Sequence, residues 1–198
     1  MSVLVEKQII TPEEYLEREA AKLPEQGKSE YFDGEIYDMS IVSDQHDQIT
    51  GNIFGHFWTF LRKEGYRVMT SDLRTKLSPT KYALPDVTVV KGKPVYSPDE
   101  FYNLLNPHLI VEVLSDGTEA VDRGKKFSAY RALETLQEYI LVSQYEYLVE
   151  CYYRDENGKW MIGNTYTLPS DTVVFKSVPC QMTLADIYED VAFETGRV

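Results

Sequence analysis

Residues 108–115, HLIVEVLS, constrain this chain more than any other stretch. Leu109, Ile110, Val111, Val113 and Leu114 are apolar at both alternating positions, so neither face of a strand built from them tolerates water. Such a strand needs layers on both sides, which points to an α/β architecture with a central sheet. Glu112 interrupts the run, and glutamate is almost never fully buried unless paired. A second run, LPDVTVV, carries Asp86 after Pro85. Both runs are short, β-branched and apolar, and read as strands with a carboxylate inside each.

Two buried carboxylates on neighbouring strands are costly unless something offsets their charge. A hard divalent cation does so: Mg²⁺ takes one or two carboxylates and completes its shell with water and phosphate oxygens. Lys126, on the helix expected after the Glu112 strand, adds an ammonium that can orient water or touch a phosphate, or, with its pKa depressed, a neutral amine that can remove water's proton. Asp122, Lys126 and Tyr130 follow at i, i+4 and i+8 on one helical face. An ordinary exposed ion pair is the commoner meaning of that spacing, and a core salt bridge the commoner meaning of a lone buried glutamate. Asp86 on its own equally suits a turn cap.

The flanking elements are readable. Thr11-Pro12-Glu13-Glu14 is a capping box that opens a helix to about Lys22. Asp33-Gly34 predicts a hairpin, with Glu30 on its first strand. Ser43 caps a long helix with His46 in its first turns and Ile49, Ile53, Phe54, Phe57, Phe60 and Leu61 on a wide apolar face; Gly65 ends it. Strands are expected at about 66–70, 73–78 and 84–90, and Ser97-Pro98-Asp99-Glu100 predicts a brief second capped helix. A helix over 119–133 follows, then strands at 138–143, 146–154 and 159–167, the last two joined at Asn157-Gly158. Thr183 caps a short final helix. No Pro/Gly/Ser linker divides the 198 residues, so a single domain over 1–198, with its core at about 11–190, is expected.

Composition excludes several classes. No apolar run is long enough to span a membrane, and MSVLVEKQII lacks an export signal, so a cytoplasmic protein with Cys151 and Cys180 as reduced thiols is expected. The net charge of −12 disfavours a general nucleic-acid binder. Residues 62–93 nevertheless hold eight Lys and Arg against three acids, enough for a local basic surface. His46, His56 and His108 fit no zinc spacing, and no phosphate-binding glycine loop or nucleophile elbow occurs.

In order, SEYFDGEIYDMS, His46 at the head of the long helix, LPDVTVV, HLIVEVLSDGTEAVDRGKKFSAY and QEYILVS resemble the Uma2 family, also called DUF820. These are restriction-endonuclease-like proteins of the PD-(D/E)xK nuclease superfamily. The resemblance covers about Thr11 to Tyr153. It implies a restriction-endonuclease-like fold, a mixed central β-sheet flanked by helices. It also implies a DNA endonuclease that hydrolyses phosphodiester bonds with Mg²⁺, or Mn²⁺ in its place, held by Asp86 and Glu112. Glu30 would be a further acid and Lys126 the lysine; His46 matches a family position without an assigned role. The superfamily pattern puts its lysine two residues after the second acid, where this chain has Leu114, so the resemblance implies a lysine supplied from the following helix. The chain also departs at Thr135-Leu136-Gln137, where the family usually has Gly-Val, and at Ser143-Gln144, where it usually has Asp-Pro. Related nucleases often cut as dimers, which leaves a homodimer open. A non-catalytic binding or regulatory protein that keeps the fold is the alternative.

Overall fold

The computed structural model describes residues 9–39 and 41–193. The N-terminal segment read for an export signal, and both ends of the expected 1–198 domain, therefore lie outside the described residues.

Helix α1, Pro12–Ala21, starts at the predicted capping box: Thr11 accepts from the Glu14 N–H and Glu14 accepts from the Thr11 N–H. Strands β1, Ser29–Phe32, and β2, Glu35–Asp38, form the predicted hairpin. Its turn needs two positive φ angles, supplied by Asp33 at 51° and Gly34 at 96°. Helix α2, Asp44–Leu61, begins at Ser43, whose hydroxyl accepts from the His46 N–H at 3.1 Å. Ile49, Ile53, Phe57 and Leu61 recur every four residues along its inner face and are buried, whereas Phe54 is only partly buried and Phe60, expected on that face, turns outward and is exposed. Burying each contributes roughly 1.5–3 kcal/mol.

Strands β3, Tyr66–Thr70; β4, Thr75–Ser78; β5, Lys81–Ala83; β6, Val87–Lys91; and β7, Leu109–Leu114, follow. After them come a helical turn α3, Glu119–Val121; a π-helical turn, Asp122–Lys126; and α4, Phe127–Tyr130. Strands β8, Glu138–Ser143; β9, Val149–Arg154; β10, Trp160–Tyr166; β11, Thr172–Val174; and β12, Gln181–Thr183, lead to α5, Leu184–Ile187. The central sheet has six strands in the order β10-β9-β8-β7-β6-β3. It is mixed: β7 and β8 run parallel, and the other neighbours run antiparallel. The parallel pair requires a crossover, which residues 115–137 supply with the helical stretch.

Alternation along β7 divides the core. Leu109, Val111 and Val113 pack with α2 and Val173, Met182 and Leu184 from the C-terminal region. Ile110 and Leu114 face the other way, toward Ala129, Tyr130, Phe32 and Ala83. Glu112 lies on that second face, a charge in an otherwise apolar layer.

Several expectations need correction. The segment at 97–101 is not helical: Ser97 Oγ donates to Asp99 and accepts from the Asn103 N–H, and Tyr102 turns the chain at φ 52°. That closes a loop between Tyr96 and Leu104 instead of starting a helix. The helix expected over 119–133 stops at Tyr130 and contains the π turn, in which the Phe127 N–H reaches the Asp122 carbonyl five residues back. Sequence β4 starts at Thr75 because 71–73 form a turn, with the Leu73 N–H on the Thr70 carbonyl. Likewise β9 starts at Val149. The strand expected at 84–90 is replaced by two elements, β5, which ends at Ala83 before it, and β6, which starts only at Val87. The first belongs to a separate antiparallel sheet in the order β2-β1-β5-β4, which was not foreseen, nor was the β11–β12 pair.

Candidate active site

Strand register brings the two central carboxylates together. Val87 pairs with Val111, so continuing one step places Asp86 across from Glu112 and on the same face. Asp86 is not inside a strand, as expected, but immediately precedes β6. Pro85 supplies no N–H for a ladder there, and the Asp86 carboxylate takes over the pairing: its Oδ2 accepts from the Val113 N–H at 2.8 Å. Glu30 arrives from the other sheet, anchored by the Leu84 N–H at 2.9 Å to Oε1. The π turn supplies Asp122 and Lys126.

Lys126 Nζ joins these groups. It lies 2.9 Å from Glu30 Oε1, 3.0 Å from Asp122 Oδ1 and 3.3 Å from Glu112 Oε1. The Asp122 contact has ion-pair distance without hydrogen-bond alignment, so Oδ1 lacks a hydrogen-bond donor among the described residues. Tyr130 donates to the same Glu112 Oε1 at 2.7 Å. All of these residues are buried; Lys126 and Glu112 are 4% and 3% exposed.

Burial shapes their charges. It raises the Glu112 carboxyl well above the ordinary range; Lys126 opposes the shift, and Asp122, Asp86 and Glu30 reinforce it. For Lys126, burial works against the charge, but Glu112, Glu30 and Asp122 outweigh it and hold the amine well above an ordinary lysine. Lys126 is therefore an ammonium donor here. Burial also lowers His46, yet Asp86, whose Oδ2 is 3.3 Å from Nε2, outweighs it and leaves the imidazole raised.

Glu30, Asp86, Glu112, Asp122, Lys126 and His46 line one cavity of about 480 Å³, and Tyr130 sits behind Glu112. The structure thus brings together all seven residues singled out in the sequence. Among the described residues, none donates to Glu30 Oε2, Asp86 Oδ1 or Glu112 Oε2. No set of three or more Asp, Glu, His or Cys among the described residues closes into a metal cage. A paired, oxygen-only, open donor set of this kind fits a cation that keeps most of its water, as Mg²⁺ does, and does not fit a structural zinc.

Sequence reasoning missed part of the support. Ser43 Oγ donates to Gln144 Oε1 at 2.6 Å, linking the α2 cap to the end of β8. A glutamine at the end of an apolar run is a weak signal, and its partner is 101 positions away. The basic surface suggested for 62–93 is not assembled beside the acids. Arg62 and Lys63 follow the far end of α2, about 27 Å from its start at a rise of ~1.5 Å per residue. Arg67 and Lys91 lie toward the end of β6 away from Asp86. Arg74 faces Glu19, and Lys81 faces Asp33.

Comparison with known proteins places this geometry in context. The sequence profile of Uma2, described as "Putative restriction endonuclease", matches residues 12–185. "Uncharacterized protein slr1290" from Synechocystis sp. (strain ATCC 27184 / PCC 6803 / Kazusa) is 35% identical over 93% of this chain and 94% of its own length. "Uncharacterized protein sll1609" from the same strain is 32% identical over 82% and 90%. The solved structure of "a putative nuclease belonging to DUF820" from Anabaena variabilis ATCC 29413 superposes with a TM-score of 0.69, covering 90% of this chain and 97% of that one at 18% identity. That likeness is one of fold: a mixed central sheet flanked by helices, as in restriction endonucleases.

Proposed function

The chain belongs to the Uma2 family, and on that premise we propose that it is a Mg²⁺-dependent endonuclease that hydrolyses phosphodiester bonds in DNA. One observation carries the reading: Asp86 and Glu112 lie across from each other at the β6–β7 pairing, with Lys126 on Glu112 Oε1 and, among the described residues, no donor on Glu112 Oε2 or Asp86 Oδ1.

Asp86 and Glu112 would hold the cation. When bound, Mg²⁺ supplies a Lewis acid for the scissile phosphate and eases ionisation of the attacking water. The protein's own groups position the rest. Tyr130 and Lys126 fix Glu112, and the Val113 N–H fixes Asp86. The Lys126 ammonium, held against Glu30, Asp122 and Glu112, serves as a donor that orients water or a phosphate oxygen. Glu30 and Asp122 hold that ammonium in place. Hydrolysis forms one P–O bond from water as the ester P–O bond breaks, and the departing oxygen takes up a proton.

The second reading is a non-catalytic protein that keeps the fold, favoured by the net charge of −12. Plasmid cleavage with Mg²⁺ or Mn²⁺ separates the two. Metal-dependent cutting by the parent, lost in folded Asp86→Asn, Glu112→Gln and Lys126→Met, supports the nuclease. A folded parent that neither cuts nor binds Mn²⁺ supports the non-catalytic reading.

A further inference from the structure

Arg62, Lys63, Arg67, Lys91 and Lys93 do not gather around the carboxylates; they gather at the other end of the sheet. The Gly92 N–H donates to the Gly65 carbonyl at 2.8 Å, which ties the turn after α2 to the turn after β6. Between those turns β3 runs antiparallel to β6, with Tyr66 across from Lys91 and Arg67 across from Val90. The five cations therefore share one end of the sheet, and all are exposed. Arg62 is held over the Trp58 ring, 5.8 Å from its centre. The acid among them is Glu64, also exposed. Glu134 and Lys176 come next, in the segments that reach His108 from the other side, and offset each other. Lys28, Arg74, Lys81, Arg123 and Lys125 each face a carboxylate elsewhere in the molecule. Among the described residues, none of the five cations at this end does.

Resting on the nuclease reading, we infer that this end of the sheet is a second DNA contact, which holds the phosphate backbone without cutting it. On a chain of net charge −12, five unpaired cations against one acid create a local field opposite in sign to the whole. A polyanion relieves the repulsion among them. Duplex DNA carries about one charge per 1.7 Å of its axis, dense enough to set a phosphate near each cation. The array is open and spread over two turns and an edge strand, so it suits a backbone better than a small anion, which needs converging donors. Contacts of this kind fix position and carry no base preference. Lys91 lies five residues along the chain from Asp86, about 17 Å in a strand. DNA held here is anchored at a distance from the carboxylates.

The test measures binding of a fluorescent duplex oligodeoxynucleotide without divalent metal across a salt series, using anisotropy. The parent is compared with Lys91→Glu plus Lys93→Glu, and with a charge-matched control, Arg18→Glu plus Lys159→Glu, whose residues are exposed and lie outside this end. Melting curves verify that both variants fold. The parent's affinity should fall with salt at a logarithmic slope of about 0.9 per phosphate contacted. The Lys91 and Lys93 variant should lose at least about tenfold in affinity and flatten that slope by about two, while the control keeps both near the parent values. An equal loss in the control overturns the inference, because net charge alone then explains binding. Polyglutamate bound as tightly as DNA through the same lysines overturns DNA as the occupant in favour of an acidic protein. A parent that cuts plasmid with Mn²⁺ but binds DNA regardless of Lys91 and Lys93 overturns the inference and leaves the nuclease reading standing. The expected loss in a protein that never cuts upholds the contact and overturns the nuclease reading instead.

Discussion

Lys126 Nζ lies 2.9 Å from Glu30 Oε1, a contact that joins the π turn behind the central sheet to the first strand of the other sheet. Removing the ammonium strands buried carboxylates on three different elements. Lys126→Met should cost about 3–5 kcal/mol of folding stability near neutral pH. Glu112 already has a folded pKa above its unfolded one, so its burden grows as pH rises past the ordinary carboxylate range and fades as pH falls. Urea unfolding at about pH 5 and about pH 8 should therefore show a smaller loss at the acid end. An equal loss at both contradicts the assignment of Lys126 as the compensating charge.

Asp86→Asn keeps an acceptor for the Val113 N–H and removes the charge. Mn²⁺ binding, followed by calorimetry, should vanish, and any metal-dependent cleavage should fall about 10³-fold. The melting temperature should hold or rise, because one of several crowded like charges is gone.

Tyr130→Phe deletes the 2.7 Å hydrogen bond that fixes Glu112 and nothing else in the site. Outer partners of metal-holding groups typically contribute ten- to a hundredfold in affinity or rate. Metal titration should show a loss of about that size with folding intact; an unchanged titration would dismiss Tyr130 as a positioning residue.

Ser43→Ala removes both the α2 cap and the bond to Gln144, and should cost about 1 kcal/mol. Ser43→Thr should recover most of it in thermal denaturation.

His108 gives a separate pH signature. Burial depresses its pKa, and the Ser177 carbonyl at 3.0 Å only partly opposes this. Its folded pKa lies below the unfolded one, so its contribution is complete above about pH 6.5 and is lost as pH falls toward the folded value. His108→Asn should flatten that acid-side slope in a series of melting curves.

The site was more legible in the sequence than the fold around it. Glu112 stands out because every neighbour on its run is apolar, and a charge there demands a partner. Asp86 follows from the adjacent apolar run, and Lys126 from its position after the Glu112 strand. Glu30 entered only through resemblance, because nothing local in SEYFDG says that the strand turns its glutamate inward against Leu84. The second sheet stayed hidden because β4 and β5 are three or four residues long and β1 meets β5 from some fifty positions away. Short strands leave too few alternations to read, and non-local pairing leaves no local mark. The segment at 97–100 misled for the opposite reason: Ser97 and Asp99 have capping chemistry, but they close a loop with it.

The π turn has a consequence for how this chain tolerates insertion and deletion. Leu114, two residues after Glu112, is buried in the second-face core, and the lysine reaches Glu112 from the π turn instead. The lysine's placement therefore depends on winding, not on strand register. A π turn holds one residue more than an α turn, so loss of a single residue between Asp122 and Lys126 would restore regular winding and swing the following side chains by about 100°. A deletion harmless in a surface helix would uncouple Lys126 from Glu30 and Glu112 together. Helix length between Asp122 and Tyr130 is thus as strictly bounded here as the spacing of a sequence motif.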